Sequence, residues 1–348
     1  MASESTDNFY SSGPSHLTYV NWDNEYHRKS VAASLVQGVY VLENDRQKQR
    51  KGSDSLACHW WEFFHFQLLD TIIDDVDSSI FGAIYTSMCN NKSPRYVIAF
   101  RGTTIKPESV LRDMELDLTI LMHTLHQTSR SKIATETVRK MVARVGGKGS
   151  KIWLAGHSQG SSIALHAGKT MAKSGILSFL FNPPFASAPI NQIVKSKKLK
   201  QAIRLGGTMV KGLVGIAMNS DKKSSSYDSF AALSNWIPCL FVNPSDYICS
   251  EYIGYFEHRS KMEEKYGRIE KSATQISLSC LIISAFGKES EPLHLIPSAN
   301  LTVNLTPLPQ TWKLIGLTNV WKLMGFTIGG NKTYTWNPRS TDTNTSSL

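Results

Sequence analysis

The residue in this chain best suited to do chemistry is a serine at the centre of a Gly-x-Ser-x-Gly pattern. Ser158 lies in GHSQG, between the strand-like run KIWLAG and the helix-like run SSIALHAGKTMA. Small residues on both sides of a serine permit a sharp turn between a strand and a helix, and this turn exposes the hydroxyl. The pattern therefore predicts that Ser158 is a nucleophile; the alternative is a serine in an ordinary turn.

A nucleophilic serine needs a base to remove its proton, a carboxylate to orient the base, and donors for the oxyanion. Asp246 ends the apolar run PCLFVNPSD and is the candidate carboxylate, although Asn-Pro-Ser-Asp is also a good turn sequence. The backbone amide of Gln159, at the start of the helix after Ser158, is placed to donate to a developing oxyanion.

The candidate base is a histidine. Two histidines follow Asp246, namely His258 in a charged, helix-like segment and His294 in ESEPLHLIPSANLTVN. The surroundings of His258 are typical of a solvated or packing residue, whereas His294 precedes a strand-like run. His294 is the better candidate, and it can act if its ring comes within hydrogen-bond distance of Ser158.

Short apolar runs alternate with helix-like segments along the chain. The runs that read as strands are RYVIAF, KIWLAG, SFLFNPP and PCLFVNPSD. This alternation predicts an α/β fold, with a mostly parallel central sheet and helices on both faces. Ligand sites in such sheets lie beyond the carboxyl ends of the strands, and the loops RGTT, GHSQG and NPSD all fall there.

Three segments have helical patterns of apolar residues. Residues 24–43 are followed by a charged stretch, NDRQKQRKGSDS, that reads as a surface loop. The aromatic-rich run HWWEFFHFQLLDTIIDD is also predicted to be a helix. The segment TSRSKIATETVRKMVARVGG is predicted to be a helix that a glycine pair stops.

The whole chain, residues 1–348, is expected to form one domain. Within it, residues 1–15 are expected to be a disordered N-terminus. Residues 186–235 form an insertion between the last two strand-like runs and are a candidate helical cap over the site. Ordinary packing helices with a flexible loop are the equally good alternative for this insertion.

Composition narrows the class of protein. The 348 residues include 41% hydrophobic residues, enough for a sizeable core, and carry a formal net charge of +10. The lysine run KSKKLKQAIR lacks interleaved aromatic residues and is typical of a solvated helix face, so nucleic acid is not an expected partner. The five cysteines are scattered, which disfavours a zinc site and a disulfide framework and favours a reducing compartment.

The expected location is cytoplasmic. The first residues, MASESTDNFYSSG, lack the basic region and apolar run of a secretory signal, and no apolar stretch approaches the roughly 20 residues of a spanning helix. Peripheral contact with an anionic membrane through the apolar run GGTMVKGLVGIAM and neighbouring lysines is left open. No protein partner is indicated.

Three of these motifs together resemble a known family. VIAFRGTT, KIWLAGHSQGSSIALHAGKTMA and CLFVNPSDYICSEYIGYFEHR are similar to the class 3, fungal-lipase-like lipases, in particular their plant members, over roughly residues 95–304. The resemblance implies an α/β-hydrolase fold with the triad order Ser, Asp, His. It places Ser158 at the nucleophile position and Asp246 at that of the triad acid.

The resemblance also implies a second oxyanion donor. In the family this donor follows an Arg-Gly pair, which points to the backbone amide of Thr103, with its hydroxyl adding a further bond. Loss of one such donor typically lowers turnover roughly a hundred- to a thousand-fold. Gln159 stands where plant relatives usually carry Leu, and its backbone amide still serves.

The family's histidine is missing from its usual place. In plant relatives a run like LIPSANLTVN is followed by Ala-His-Gly-Ile-His-x-Trp-Trp, whose first histidine is the base, but no histidine follows His294 in this chain. LMGFTIGG, residues 323–330, can be encoded as CTC ATG GGA TTC ACC ATT GGT GGA. When the preceding codon ends in G, a reading frame that starts at that G gives Ala-His-Gly-Ile-His-His-Trp-Trp. We therefore hypothesise that residues 306–348 are a frame-shifted tail.

The expected function is that of a serine hydrolase of the class 3 lipase type, which cleaves carboxylic esters of lipids through an acyl-enzyme. No metal or organic cofactor is implied. One alternative is a catalytically impaired pseudo-lipase that binds lipid or a protein partner. Another is a GDSL-type hydrolase using GSDSL, residues 52–56, but this string lacks Gly directly before Asp54 and follows no apolar strand.

Overall fold

The computed structural model describes residues 6–89, 92–103, 128–185, 233–246, 248–258 and 296–305, and the backbone of residues 331–336. Within these residues an eight-stranded sheet has its strands side by side in chain order. The strands are β1 Phe66–Ile73, β2 Ile80–Ser87, β3 Tyr96–Phe100, β4 Ile152–His157, β5 Leu177–Phe181, β6 Cys239–Val242, β7 Ala299–Asn304 and β8 Asn331–Trp336.

Strands β3 to β7 run parallel, as the alternation of apolar runs predicts. Antiparallel strands flank them, with β1 and β2 on one side and β8 on the other. Side chains of β4 alternate between two cores: Ile152 and Leu154 belong to one, and Trp153 and Ala155 to the other. Because both faces of the central strands are buried, these strands are mainly apolar.

Helices cover both faces of the sheet, which confirms the predicted fold class. They are α1 Phe9–Ser12, α2 Glu25–Gln47, α3 His59–Glu62, α4 Ser129–Arg144, α5 Gln159–Thr170 and α6, residues 251–258. Helix α2 packs on one face, against β2 to β5, and α5 packs with α4 on the other. Helix α4 ends just before the glycine pair predicted to stop it.

The predicted helix over residues 24–43 is confirmed as α2, but it is longer than expected. The Asn24 side chain caps it by accepting from the Tyr26 amide at 2.8 Å. It continues to Gln47, into the charged stretch expected to be a loop. The acidic side chains of this last turn are buried but paired: Glu43 with Arg46, and Asp45 with Arg50. Pairing allows the helix to carry these charges into the interior.

The prediction of one helix over HWWEFFHFQLLDTIIDD is wrong. A helix covers four residues of it, His59–Glu62, and the chain then turns at His65, whose φ is 58°. The remainder enters β1, which pairs with β2 and buries Phe66 and Ile72. Apolar residues at short spacing fit either period, and here strand pairing decided between them.

The expectation of a disordered N-terminus is corrected for residues 6–15. Phe9 is 1% exposed and packs with Trp60, Phe63 and Phe64. The Asp7 backbone carbonyl accepts from Trp60 Nε1 at 2.8 Å, so the segment is fixed to the aromatic core.

Two expected features fall mainly outside the described residues. The insertion at 186–235, with GGTMVKGLVGIAM, lies outside them except for a short turn at Leu233–Asn235. In the tail at 306–348, residues 331–336 form β8 and pair with β7, and the others lie outside. The frame-shift hypothesis is not tested by this pairing. No helix within the described ranges is long and apolar enough to cross a membrane.

Candidate active site

Ser158 lies at a sharp turn between β4 and α5. Its φ of 52° and ψ of −125° fall in a region that residues with side chains rarely adopt. Such a conformation typically costs about 1–3 kcal/mol and persists where surrounding contacts enforce it. Here the Ser158 amide donates to the Phe181 carbonyl at 2.9 Å, and the Ser158 carbonyl accepts from the Ser161 amide at 2.9 Å. This geometry is that of a nucleophile elbow.

The two glycines of the motif let the turn close. A Cβ on Gly156 would lie 2.4 Å from the Gly160 carbonyl oxygen, and one on Gly160 would lie 2.4 Å from the Phe100 carbonyl oxygen. Both approaches are to backbone atoms, which cannot move aside easily. The Ser161 hydroxyl lies within 2.7 Å of both the Gly156 and Phe181 carbonyls and can donate to either. The pattern therefore fixes how closely strand and helix approach.

The loop after β3 packs directly on the elbow. A Cβ on Gly102 would lie 3.0 Å from the Ser158 Cβ, so these two backbones are in close contact. The Thr103 hydroxyl donates to Oε1 of Gln159 at 2.9 Å. Thr103 and Gln159, the two predicted oxyanion residues, thus lie together beside Ser158. The Thr103 hydroxyl, expected to face the oxyanion, is instead bonded to the Gln159 side chain.

Asp246 follows β6 and lies two strands away from the elbow. Its Oδ2 accepts from Asn182 Nδ2 at 2.5 Å, and its Oδ1 accepts from the Ile248 amide at 3.0 Å. The Cys249 thiol lies 3.6 Å from Oδ2. Burial raises the pKa of Asp246, while these donors stabilise its charged form and partly oppose that shift.

Asn182 connects the candidate acid to the candidate nucleophile, and sequence reasoning missed it. It follows Phe181, whose carbonyl accepts from the Ser158 amide, and its own side chain donates to Asp246. Its φ of 46° is in the left-handed region, where Asn is more common than most residues. The signal that could have found it is the Asn-Pro pair that ends both apolar runs, SFLFNPP and PCLFVNPSD.

The histidine next to Ser158 has a different environment from that of a catalytic base. His157 is buried, and its Nδ1 lies 2.9 Å from the Tyr40 hydroxyl. Burial lowers the pKa of His157 to about 3, which keeps the ring neutral. Its Nε2 is buried and has no hydrogen-bond partner among the described residues. The ring is therefore a neutral, buried partner of Tyr40.

The position of the predicted base, His294, is not described by the structure. His294 lies outside the described residues, and His258 is at the end of α6. Among the described residues, the hydrogen-bond partners of the Asp246 carboxylate are Asn182, Ile248 and Cys249, none of them a histidine. The structure thus brings together Ser158, Thr103 and Gln159 at the sheet edge, with Asp246 linked to them through Asn182.

The GSDSL string has a structural role. Gly52–Asp54 form a single short turn of 3-10 helix before α3. The Ser55 hydroxyl donates to Asp45 Oδ2 at 2.6 Å, and the amides of Leu56 and Ala57 donate to the same oxygen. Ser55 therefore helps to fix the chain between α2 and α3, and it does not follow a strand.

Metal ligation has no candidate within the described ranges. No group of three or more His, Cys, Asp or Glu residues there is arranged to hold a metal ion.

The fold and the elbow together define an α/β-hydrolase. Comparison with known proteins adds a relative from Arabidopsis thaliana described as a GDSL esterase/lipase, which is 48% identical over 322 residues. The match covers 86% of this chain and 90% of the relative. The chain belongs to the esterase/lipase family of that protein. No family model and no solved structure matches the chain.

Proposed function

We propose that this protein is a serine hydrolase that cleaves carboxylic esters of lipids through an acyl-enzyme, with class 3 lipase machinery. The observation that carries the proposal is the strained elbow at Ser158, in contact with the loop at Gly102. The name of the Arabidopsis thaliana relative, an esterase/lipase, supports ester hydrolysis. The motifs RGTT, GHSQG and NPSD support the class 3 type.

In the proposed mechanism, the Ser158 hydroxyl oxygen attacks the ester carbonyl carbon while a histidine takes its proton. The carbonyl oxygen becomes an oxyanion, stabilised by the backbone amides of Thr103 and Gln159. Asp246 orients the histidine and stabilises its charged form. The intermediate collapses to an acyl-enzyme as the histidine protonates the departing alcohol. Water then attacks the acyl-enzyme by the same route and releases the acid.

The base in this mechanism is a separate part of the proposal. In the chain as translated, His294 is the proposed base, and it must come within hydrogen-bond distance of Ser158. If the tail is frame-shifted, the histidine of Ala-His-Gly-Ile-His-His-Trp-Trp takes this role. A chain without a base is expected to lose several orders of magnitude in rate, with residual activity from the oxyanion donors and binding.

Labelling with a fluorophosphonate probe tests the nucleophile. We expect the wild-type chain to be labelled and the Ser158→Ala variant to be silent. Ser55→Ala is the matched control, because Ser55 is the serine of the GSDSL string and is bonded to Asp45. It should be labelled like the wild type. If Ser55→Ala loses labelling and Ser158→Ala keeps it, the GDSL-type alternative replaces our proposal.

A second candidate function is that of a pseudo-lipase that binds lipid or a protein partner through the same cleft. It is favoured by the absence of histidine from the sequence after His294. A wild-type chain that binds lipid vesicles but is neither labelled nor active on esters of graded chain length would support this alternative and contradict ester hydrolysis.

A further inference from the structure

One tyrosine of α2 joins three parts of the molecule beneath the candidate site. The Tyr40 hydroxyl accepts from the Gly102 amide at 2.7 Å and lies 2.9 Å from Nδ1 of His157. Because the buried His157 ring is neutral, Nδ1 can accept a hydrogen bond from the Tyr40 hydroxyl. Tyr40 therefore links α2, the loop after β3 and the end of β4.

The carbonyl of Gly102 is hydrogen-bonded as well as its amide. Nη1 of Arg101 donates to the Gly102 oxygen at 2.8 Å, and Nε donates to the Ile80 carbonyl at 2.6 Å. The Ile80 amide in turn donates to Glu43 Oε2 at 2.8 Å. Arg101 is 3% exposed, and this burial lowers the pKa of its guanidinium, while the nearby negative charge of Glu43 partly opposes the shift.

These contacts determine where the next amide points. The Gly102 carbonyl and the Thr103 amide belong to one peptide group, which is planar. Fixing the carbonyl oxygen at Arg101 therefore fixes the direction of the Thr103 N–H, which points the opposite way. Little room remains for the loop to shift, since a Cβ on Gly102 would lie 2.7 Å from the Tyr40 hydroxyl and 3.0 Å from the Ser158 Cβ.

We infer that Tyr40 and Arg101 are positioning residues, which hold the Gly102–Thr103 peptide against Ser158 so that the Thr103 amide meets the developing oxyanion. This inference rests on the proposed function, because it assigns a task to the proposed oxyanion donor. Burial raises the pKa of Tyr40, so its hydroxyl keeps the proton that this bridge requires. Preorganised donors of this kind act without rearranging during the reaction.

Tyr40→Phe tests the inference, since it removes the hydroxyl and keeps the ring. We expect kcat to fall roughly ten- to a hundred-fold with little change in KM, because the donor acts on the transition state. Tyr85→Phe is the matched control: Tyr85 is a buried tyrosine of the same core, and its hydroxyl donates to the Leu35 carbonyl at 3.1 Å. We expect Tyr85→Phe to lose about as much stability as Tyr40→Phe and to keep the kcat of the wild type.

Arg101→Lys provides a second variant that keeps the charge. A lysine lacks the planar fork that contacts the Gly102 and Ile80 carbonyls together. We expect a fall in kcat that exceeds any change in KM, as for Tyr40→Phe. A rise in KM with unchanged kcat in both variants would contradict a role in the transition state.

A measurement without substrate separates this inference from the proposed function. Amide exchange of Gly102, followed by NMR of 15N-glycine-labelled protein, should be faster in Tyr40→Phe and unchanged in Tyr85→Phe. Unchanged exchange in Tyr40→Phe would overturn the inference, and so would faster exchange with unaltered kcat. If the wild-type chain hydrolyses no ester, the proposed function fails, and the exchange rates alone decide whether Tyr40 holds the loop.

Discussion

At the scale of single residues, the candidate site depends on groups held in uncommon states. Ser158 has a φ of 52°, Asn182 a φ of 46°, and His157 a buried, neutral ring. Each is maintained by contacts from other parts of the chain, such as the Phe181 carbonyl for Ser158 and the Tyr40 hydroxyl for His157. Changing one contact should therefore alter chemistry as well as stability.

Asn182→Asp should shift the pH dependence of hydrolysis. The change keeps a residue that tolerates positive φ, but it replaces the donor to Asp246 Oδ2 by a second carboxylate. Like charges side by side raise the pKa of the pair, so Asp246 would need a higher pH to ionise. We expect the acid limb of the kcat/KM profile to move to higher pH. At pH values below the shifted limb, kcat/KM should fall roughly tenfold.

The control for this prediction is Asn44→Asp. Asn44 donates through Nδ2 to Asp7 Oδ1 at 2.9 Å, which is the same kind of amide-carboxylate contact, made by α2 and the N-terminal segment. It should leave the pH profile of hydrolysis unchanged. A profile that moves equally in both variants would mean that Asp246 is not the carboxylate that sets the acid limb.

His157 should make stability depend on pH. Burial lowers its pKa from an ordinary 6.5 to about 3. As pH falls from 6.5 towards 3, the unfolded chain binds a proton that the folded chain excludes, so the free energy of unfolding decreases. The contribution is at most about 1.4 kcal/mol per pH unit. Urea unfolding from pH 7 to pH 4 should show a shallower decline in His157→Asn, and equal declines would refute the prediction.

At the scale of elements, the N-terminal segment is part of the structural core. Phe9 of α1 fills a site lined by Trp60, Phe63 and Phe64, and Asp7 lies 2.8 Å from Arg50. The segment thus buries an aromatic side chain and joins the ion pairs at the end of α2. Its contribution is to anchor α2, the helix that carries Tyr40.

Phe9→Ala should destabilise the fold by about 3 kcal/mol, because it leaves a cavity in an aromatic core. Tyr10→Ala is the neighbouring control, since Tyr10 is 62% exposed and should change stability by about 0.5 kcal/mol or less. Urea unfolding midpoints measure both. If the two variants lose the same stability, the packing of Phe9 is less important than its burial indicates.

At the scale of the whole molecule, the candidate site is formed at one edge of the sheet by segments that are distant in the chain. The elbow follows β4, the loop at Gly102 follows β3, and Asp246 follows β6. Parallel strands place these three turns at one edge because their carboxyl ends coincide there. In the proposed triad order of Ser, Asp, His, the base would come from a segment after Asp246, so the proposed activity depends on the sequence of the tail.

The frame-shift hypothesis predicts what the natural message encodes. Sequencing the transcript across residues 306–348 should reveal Ala-His-Gly-Ile-His-His-Trp-Trp in place of LMGFTIGG. A protein with that segment should react with a fluorophosphonate faster by several orders of magnitude than the chain with LMGFTIGG, since it regains the base. A natural message that encodes LMGFTIGG in frame would contradict the frame-shift hypothesis. His294 would then remain the base to test.

The amino-acid sequence by itself determined the central strands and the turn at Ser158. Continuous apolar runs are favourable where both faces of a sheet are covered, and Gly156 and Gly160 leave room for backbone contacts that any side chain would block. These are local properties, so residue types and spacing suffice to read them. The helix predicted over HWWEFFHFQLLDTIIDD failed because its apolar spacing fits two periods, and pairing of β1 with β2 selected the strand.

Only the tertiary structure decided which residues support the site. Tyr40 lies far from Gly102 and His157 in the chain, yet its hydroxyl contacts both. Asn182, at the end of β5, likewise meets Asp246, which follows the neighbouring strand β6. Nothing in the spacing of these residues indicates such contacts, because they depend on how α2 and the parallel strands pack. Packing brings polar groups from distant parts of the chain together in a buried place, where most of them pair with one another, and several of these pairs lie next to Ser158.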